Sequence, residues 1–345
     1  MNQNYSASRF GTFNSCLLKY KLTYIDDLVV TGREFSVQKK GLVFHHIAEG
    51  TSIDETWDAL NERAKKEIAE SGMTEAELEK YPVEKAIPVF YAWWKAYIQD
   101  AWNRHGYTRL FKEKWEKGTI DGEPLVGALD VLLVNERFEG LPPELRDRLI
   151  NEGKAVEDGE CLKLLNSATE SDVNECREKG TDKSLFIIAD YKSGSSPKLS
   201  EDYKNQLLLY VYMLSQQRGI PLDEITSRFK CYLFYPLAGI KSVDVSDDTA
   251  VEKLMRKNTL RFDFTLRSYE DALAHFSEIV KQTKERDWAA LDPLVDANLS
   301  FSCSFCAFCG HPRYCKLSYD SGLAFPRSAK VMTKEELKAS HGETN

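Results

Sequence analysis

The sequence predicts an α/β fold, in which helices surround a buried sheet. Two apolar runs, 124–134 and 185–189, have the length and composition of buried strands. Apolar residues at helical spacing occur before the first run, through 52–105, and after the second, through 202–214. A further strand is predicted over 229–235 and a last helix over 268–290. This mixture of strands and helices indicates an α/β protein.

Composition narrows the class of protein. The chain has 345 residues, of which 42% are hydrophobic and 29% charged, as expected for a globular protein. The polar N-terminus and the lack of a long apolar run argue against a signal peptide or membrane span, so we expect a cytoplasmic protein. There the eight cysteines would serve as ligands or buried thiols. A net charge of −8 disfavours a generally basic surface for nucleic acid, but a local groove can still be positive.

The first predicted helix begins near Ser6, which is a suitable N-cap residue. Apolar residues then recur at helical spacing: Phe10, Phe13, Leu17 and Tyr20. Cys16 shares this apolar face, and taken alone it is typical of a buried structural cysteine.

A second helix carries His45 and Glu49 one turn apart, whereas the neighbouring His46 points elsewhere. His45 follows three apolar residues and is either a hydrogen-bonded core residue or a ligand. The helices over 52–105 form a helical insertion. Their aromatic segment, 90–97, either packs in the core or stacks on nucleic-acid bases.

A hairpin is predicted next, with a strand over 111–115, a turn at Asp121-Gly122 and a strand over 124–134. Asp130 is the only charged residue in this second strand. A buried carboxylate is costly unless it is paired or bound to a cation, so Asp130 is a candidate functional residue. Residues 136–183 hold 13 acidic against 8 basic residues and are interpreted as an acidic insertion between two strands.

The strand over 185–189 runs directly into Asp190 and Lys192. Because side chains alternate along a strand, both residues point to the same side. Such a pair can bind a divalent cation through the carboxylate while the ammonium steadies a phosphate or a water molecule, or it is an ordinary salt bridge. The helix that follows places Gln206 and Tyr210 one turn apart.

Four cysteines lie within residues 303–315. Closely spaced thiolates are soft ligands for zinc or an iron–sulfur cluster. We predict a single domain over 1–325, followed by a loose polar tail over 326–345.

Together, these motifs resemble the PD-(D/E)XK nuclease superfamily, and within it the RecB/AddB-like branch that includes CRISPR-associated adaptation exonucleases. The resemblance covers about 5–317. It implies a restriction-endonuclease-like core, with a mixed central sheet flanked by helices, a helical insertion, and an iron–sulfur cluster that joins the N- and C-terminal regions. The long acidic insertion departs from the short hairpin that is usual in the family.

The resemblance also implies a role for each matching residue. His45 ends a Gly-x-x-x-His motif and would be a metal ligand. Asp130 ends Gly-x-x-Asp, and Asp190 begins Asp-x-Lys, so both would be catalytic carboxylates and metal ligands. Lys192 would be the catalytic lysine. The Gln-x-x-x-Tyr helix would position the DNA strand through Gln206 and Tyr210.

The cysteines match the four-cysteine pattern of the branch. The implied ligands of a [4Fe–4S] cluster are Cys16, Cys306, Cys309 and Cys315. The additional Cys303 could replace Cys309, and Zn²⁺ is the alternative to iron and sulfur.

The function implied is Mg²⁺- or Mn²⁺-dependent hydrolysis of DNA. The resemblance favours an exonuclease that acts on single-stranded or end-containing DNA in recombination, repair or replication. The chain lacks a phosphate-loop motif, so a helicase or recombination motor would be a separate partner. The alternatives are a non-catalytic DNA-binding or recombination accessory protein and a zinc-ribbon adaptor.

Overall fold

The computed structural model of the protein describes residues 4–32, 36–291, 306–309, 311, 313–315 and 328–340. The chain forms two compact units. The terminal unit comprises Met1–Gln38, Thr119–Leu125 and Leu273–Asn345, and the central unit comprises Lys39–Gly118 and Val126–Ala272. Across the described ranges, no helix has both the length and the apolar character needed to cross a bilayer.

The α-helices of the described residues are, in chain order, α1 Ala7–Ser15, α2 Leu17–Tyr20, α3 Ser36–Glu49, α4 Trp57–Glu70, α5 Glu75–Lys80, α6 Val83–Trp93, α7 Asp100–His105, α8 Pro143–Asn151, α9 Glu170–Lys179, α10 Glu201–Arg218, α11 Ile225–Arg228, α12 Asp248–Asn258, α13 Leu266–Glu285 and α14 Lys334–Ser340. The strands are β1 Leu28–Thr31, β2 Arg109–Ile120, β3 Glu123–Asn135, β4 Arg137–Glu139, β5 Ala155–Asp158, β6 Cys161–Leu164, β7 Thr181–Asp182, β8 Leu185–Tyr191, β9 Phe229–Phe234, β10 Thr259–Phe262 and β11 Lys330–Thr333.

A five-stranded mixed sheet has the order β10-β9-β8-β3-β2. Its middle strand, β8, pairs antiparallel with β3 and parallel with β9. Strands β8 and β9 are joined through α10, as a parallel connection requires. The predicted α/β fold with a mixed central sheet and flanking helices is therefore confirmed.

Three rings of the aromatic segment, at the end of α6 and in the π-helical turn that follows it, lie in the core of the central unit. Phe90, Trp93 and Trp94 are fully buried. The Trp93 ring stacks on Phe234 with 4.8 Å between ring centroids, and it meets the edge of Tyr191 at 5.6 Å. Of the two interpretations of this segment, core packing is the one the structure shows, and these three rings offer no surface to a base.

The acidic insertion folds around a small core of its own. Its strands form a four-stranded sheet of order β5-β6-β4-β7, packed with α8 and α9. At its border Glu136 is 2% exposed and accepts two hydrogen bonds from Arg218, at 2.9 and 3.1 Å. Burial alone would raise the pKa of Glu136, but the Arg218 guanidinium outweighs it and holds that pKa below its usual value.

In the terminal unit, Ser6 caps α1 by accepting a hydrogen bond from the Arg9 N–H at 3.2 Å, as predicted. The predicted single helix is interrupted at Cys16, whose backbone is extended. Residues 328–340, expected to be part of a loose tail, instead contain a strand and a helix. Strand β11 pairs antiparallel with β1, which satisfies backbone groups on both segments.

Candidate metal and catalytic centre

The predicted carboxylates come from neighbouring strands. In the antiparallel pair of β3 and β8, Val131 lies opposite Ala189. One residue further along each strand, Asp130 therefore lies opposite Asp190. Both side chains are buried, with Asp130 9% and Asp190 2% exposed. The sheet register thus brings together two acidic groups that are sixty residues apart in the chain.

Asp130 is held in an environment that disfavours its charge. Its Oδ2 accepts a hydrogen bond of 2.6 Å from the Tyr191 N–H. Burial, followed by the nearby charge of Asp190, raises the pKa of Asp130 from 3.8 to about 8, although His45 and this hydrogen bond act against the rise. A cation beside the pair would remove this destabilisation, so the site is suited to a divalent metal ion.

His45 projects from α3 toward the same carboxylate. Its Nδ1 lies 3.4 Å from Glu113 Oε1 and 3.7 Å from Asp130 Oδ1. Burial lowers the pKa of His45, but the hydrogen bond with Glu113 and the charges of Asp130 and Glu113 outweigh it, so the pKa lies above its ordinary value. The imidazole is therefore placed as a ligand candidate rather than as an isolated core residue.

Glu113 is a member of this site that the sequence analysis missed. One ligand atom each of His45, Glu113 and Asp130 lies within 4.8 Å of the others, a spacing that could hold a metal ion. Glu113 has a φ of +48° inside strand β2, a backbone conformation that costs a non-glycine residue about 1–3 kcal/mol. In a hairpin closed by the two-residue turn Asp121-Gly122, residues at equal distances from the turn face each other, so Glu113 faces Asp130. This register is the feature of the sequence from which Glu113 could have been predicted.

Asp190 belongs to a second set of contacts. It forms an ion pair with Lys192, confirming that the two side chains lie on the same side of the strand. Gln206 donates from Nε2 to Asp190 Oδ1 at 2.9 Å, and its Oε1 accepts from Lys192 Nζ at 2.7 Å. The Gln206 amide also donates to the Tyr210 hydroxyl at 2.7 Å. Helix α10 therefore fixes the position of the lysine and the carboxylate together.

Two glycines allow the supporting elements to approach closely. A Cβ on Gly127 of β3 would lie 2.8 Å from Tyr210 Cε1, closer than side chains allow. A Cβ on Gly41 of α3 would lie 3.2 Å from Ser193 Oγ, just beyond Lys192. Packing therefore explains the glycines of the Gly-x-x-Asp and Gly-x-x-x-His motifs. Gly127 lets α10 approach β3, and Gly41 lets α3 approach the turn after β8.

The cysteines form a cluster within the terminal unit. Cys306, Cys309 and Cys315 are buried together with Leu18 and Phe308, and Cys16 packs against them. The Cys309 thiol hydrogen-bonds to both Cys306 and Cys315, which raises its pKa. The hydrogen bond from Cys309, the Phe308 N–H and the charge of Lys19 lower the pKa of Cys306 to about 6, against the effect of burial. Cys303 lies outside the described residues.

The contacts that lower the pKa of Cys306 favour its thiolate form, which is the form that binds metals. Cys16 also accepts a hydrogen bond of 3.4 Å from the Lys19 N–H. Backbone N–H groups directed at sulfur stabilise thiolates and are typical of metal and iron–sulfur ligation. Four soft donors within an apolar shell suit either zinc or an iron–sulfur cluster.

The fold and the site define a class of protein: an α/β fold whose mixed sheet presents two carboxylates on adjacent strands, with a lysine just after one of them. The family model of the PD-(D/E)XK nuclease superfamily matches residues 4–141 and 178–316, well over half of the chain. The chain belongs to this superfamily. The internal stretch that the family model does not match, 142–177, falls inside the acidic insertion, which is therefore an addition to the family core.

Membership makes the chain a nuclease of a superfamily that uses divalent metal ions. A comparison with curated proteins found no match.

Proposed function

We propose that the protein is a Mg²⁺- or Mn²⁺-dependent deoxyribonuclease, and that it is an exonuclease acting on single-stranded or end-containing DNA. The observation that supports this most directly is the convergence of Asp130, Asp190 and Lys192 with His45 and Glu113. Two neighbouring buried carboxylates repel each other and destabilise the fold. An accessory protein that only bound DNA would have no need of such a pair.

The ligand atoms nearest one another belong to Asp130, Glu113 and His45, and we assign them to the metal. Asp190 would complete the set, because it occupies the strand position opposite Asp130. Oxygen ligands suit Mg²⁺, and the imidazole makes Mn²⁺ acceptable. The bound ion would supply Lewis-acid polarisation of the scissile phosphate and of the attacking water.

Lys192 would orient the attacking water and stabilise the additional negative charge that develops on the phosphate. Its side chain is only 13% exposed, and it is held by the contacts to Asp190 and Gln206. Burial raises the pKa of Tyr210, so its hydroxyl stays protonated and can donate a hydrogen bond. Gln206 and Tyr210 would therefore position the DNA strand beside the lysine.

We further propose that Cys16, Cys306, Cys309 and Cys315 bind one [4Fe–4S] cluster. The packing of Cys16 against the other three favours this set over a zinc ribbon formed by the C-terminal cysteines alone. The cluster would hold the two ends of the chain together and has no proposed step in hydrolysis. A cytoplasmic role in recombination or repair, beside a separate helicase, agrees with the absence of a phosphate-loop motif.

Glu113 offers a direct test of the metal assignment. Glu113→Gln keeps the size of the side chain but removes its charge, so we expect Mn²⁺ affinity to fall by at least about tenfold. Isothermal titration calorimetry measures this. Glu116→Gln is the matched control, because Glu116 lies in the same strand, is buried and pairs with Lys114 instead. Equal Mn²⁺ affinities for the two variants would remove Glu113 from the ligand set.

The exonuclease proposal predicts a requirement for DNA ends. With Mg²⁺ or Mn²⁺, end-labelled linear single-stranded DNA should be degraded, while a closed circle of the same sequence should remain intact. Gel electrophoresis of both substrates over time measures the difference. Comparable cleavage of circle and linear strand would identify an endonuclease.

A further inference from the structure

Among the described residues, Lys40 of α3 is a buried cation without a compensating anion. It is 5% exposed. Its Nζ lies 4.6 Å from the centre of the Tyr81 ring, and no carboxylate among the described residues forms an ion pair with it. Burial lowers its pKa, and no neighbouring charge restores it. A buried ammonium is costly when it lacks an anion, so this position points to a ligand that supplies one.

Lys40 lines a cavity of about 360 Å³ together with two exposed lysines, Lys80 and Lys241. The Lys80 ammonium lies 5.3 Å from the same Tyr81 ring. No acidic residue is among the described residues that line the cavity. In a chain with a net charge of −8, three lysines around one cavity are a local concentration of positive charge that favours an anion.

The cavity also has an apolar wall. Leu237 and Ile240 are buried beneath it, and the Tyr81 ring is part of its lining. An inorganic anion would not need this wall, and a purely apolar ligand would not need three ammonium groups. A nucleotide uses both, since its phosphate pairs with lysines and its base packs on aromatic and apolar side chains. The volume is within the range of small-ligand pockets.

The cavity lies next to the catalytic centre along the chain and along α3. Lys40 precedes His45 by five residues, which is about 7.5 Å along a helix axis. Ser195, another lining residue, follows Lys192 by three residues, and the intervening Ser193 packs against Gly41.

We propose that this cavity binds one nucleotide of the substrate strand near the scissile phosphate, with its phosphate held by Lys40, Lys80 and Lys241. The inference rests on the proposed deoxyribonuclease function. A base that enters the cavity must leave its stack and its pairing partner, so the site favours single-stranded DNA.

The test compares Lys40→Met with wild type in EDTA, where no cleavage occurs, using fluorescence anisotropy of a labelled twelve-nucleotide DNA strand. We expect the affinity of Lys40→Met to fall on the order of tenfold. The slope of log affinity against log salt should decrease by about 0.7 for each lost phosphate contact. The thermal midpoint should rise, because an unpaired buried charge is removed. Lys66→Met, an exposed substitution on α4, is the charge-matched control and should bind within twofold of wild type.

The double variant Lys80→Met/Lys241→Met changes only exposed residues and keeps the test valid should Lys40→Met not fold. A loss of affinity that is confined to 5′-phosphorylated strands identifies a terminal phosphate as the bound group. An equal loss with 5′-hydroxyl strands identifies an internal phosphate. Both results support the site. Wild-type affinity and salt dependence in the folded variants would overturn it. If the wild-type protein cleaves DNA and the variants bind DNA with wild-type affinity, the cavity proposal fails and the proposed nuclease function stands. Where wild type neither binds nor cleaves DNA, the proposed function fails with it.

Discussion

Asp130→Asn is expected to lower DNA cleavage by at least about 10³-fold and to leave a folded protein. The factor corresponds to the loss of about 4 kcal/mol of transition-state stabilisation, which is within the range of a metal-bound carboxylate. The amide is nearly isosteric with the carboxylate, and its oxygen can still accept the hydrogen bond from the Tyr191 N–H. Steady-state cleavage of labelled single-stranded DNA measures the loss of activity. Circular dichroism of the same sample shows whether the variant is folded.

The same substitution should stabilise the metal-free protein, and the effect should depend on pH. The pKa of Asp130 is raised from 3.8 to about 8 in the folded state, so that state binds more protons than the unfolded one between these values. Wild-type stability therefore falls as pH rises through this range, and the advantage of Asp130→Asn grows from about pH 4 to about pH 8. Thermal midpoints in EDTA across this range give the difference directly.

Asp172→Asn is the matched control for both measurements. Asp172 is also buried, but hydrogen bonds from Thr169 and Lys154 outweigh the effect of burial and hold its pKa below the usual value. Its replacement should therefore cost about 1–2 kcal/mol of stability and leave cleavage intact. Full activity of Asp130→Asn, with contaminating nucleases excluded, would show that Asp130 has a structural role only.

The parts of the site that could be predicted are those in which a charged residue interrupts an apolar strand. Asp130 and Asp190 stand out because burial of an unpaired charge is costly, and this signal is local in sequence. Strand alternation then correctly placed Lys192 beside Asp190. The spacing of Gln206 and Tyr210 likewise put both on one face of α10, where they contact each other.

Other features depend on information that the local sequence does not carry. Glu113 lies in a strand that contains several charged residues, so it stands out only through its register opposite Asp130, counted from the turn at Asp121-Gly122; its left-handed φ has no propensity signal. The acidic insertion was recognised by its charge, but its small core depends on spaced residues such as Phe138, Leu149 and Leu162. Strand β11 has only four residues, which is too short to be recognised without its partner β1.

If the proposed [4Fe–4S] assignment holds, Cys16→Ala is expected to abolish iron binding and to lower thermal stability together. Cys16 and Cys306 are about 290 residues apart, and by analogy with disulfides, closing such a loop restricts the unfolded chain by about 5–6 kcal/mol. The pairing of β1 with β11 already restrains the same ends, so the measured loss should be smaller than this limit. Iron content, absorbance near 400 nm and the thermal midpoint are the three measurements.

Cys161→Ala is the matched control, because Cys161 is partly exposed like Cys16 but lies on β6 in the acidic insertion. It should retain the iron and the wild-type thermal midpoint. Cys303→Ala decides between the two ligand sets: we expect it to keep the iron, because Cys16 packs against Cys306, Cys309 and Cys315 and would supply the fourth ligand. Full iron content in Cys16→Ala with loss of iron in Cys303→Ala would place the cluster on the C-terminal cysteines alone, and the two chain ends would then be joined by strand pairing without it.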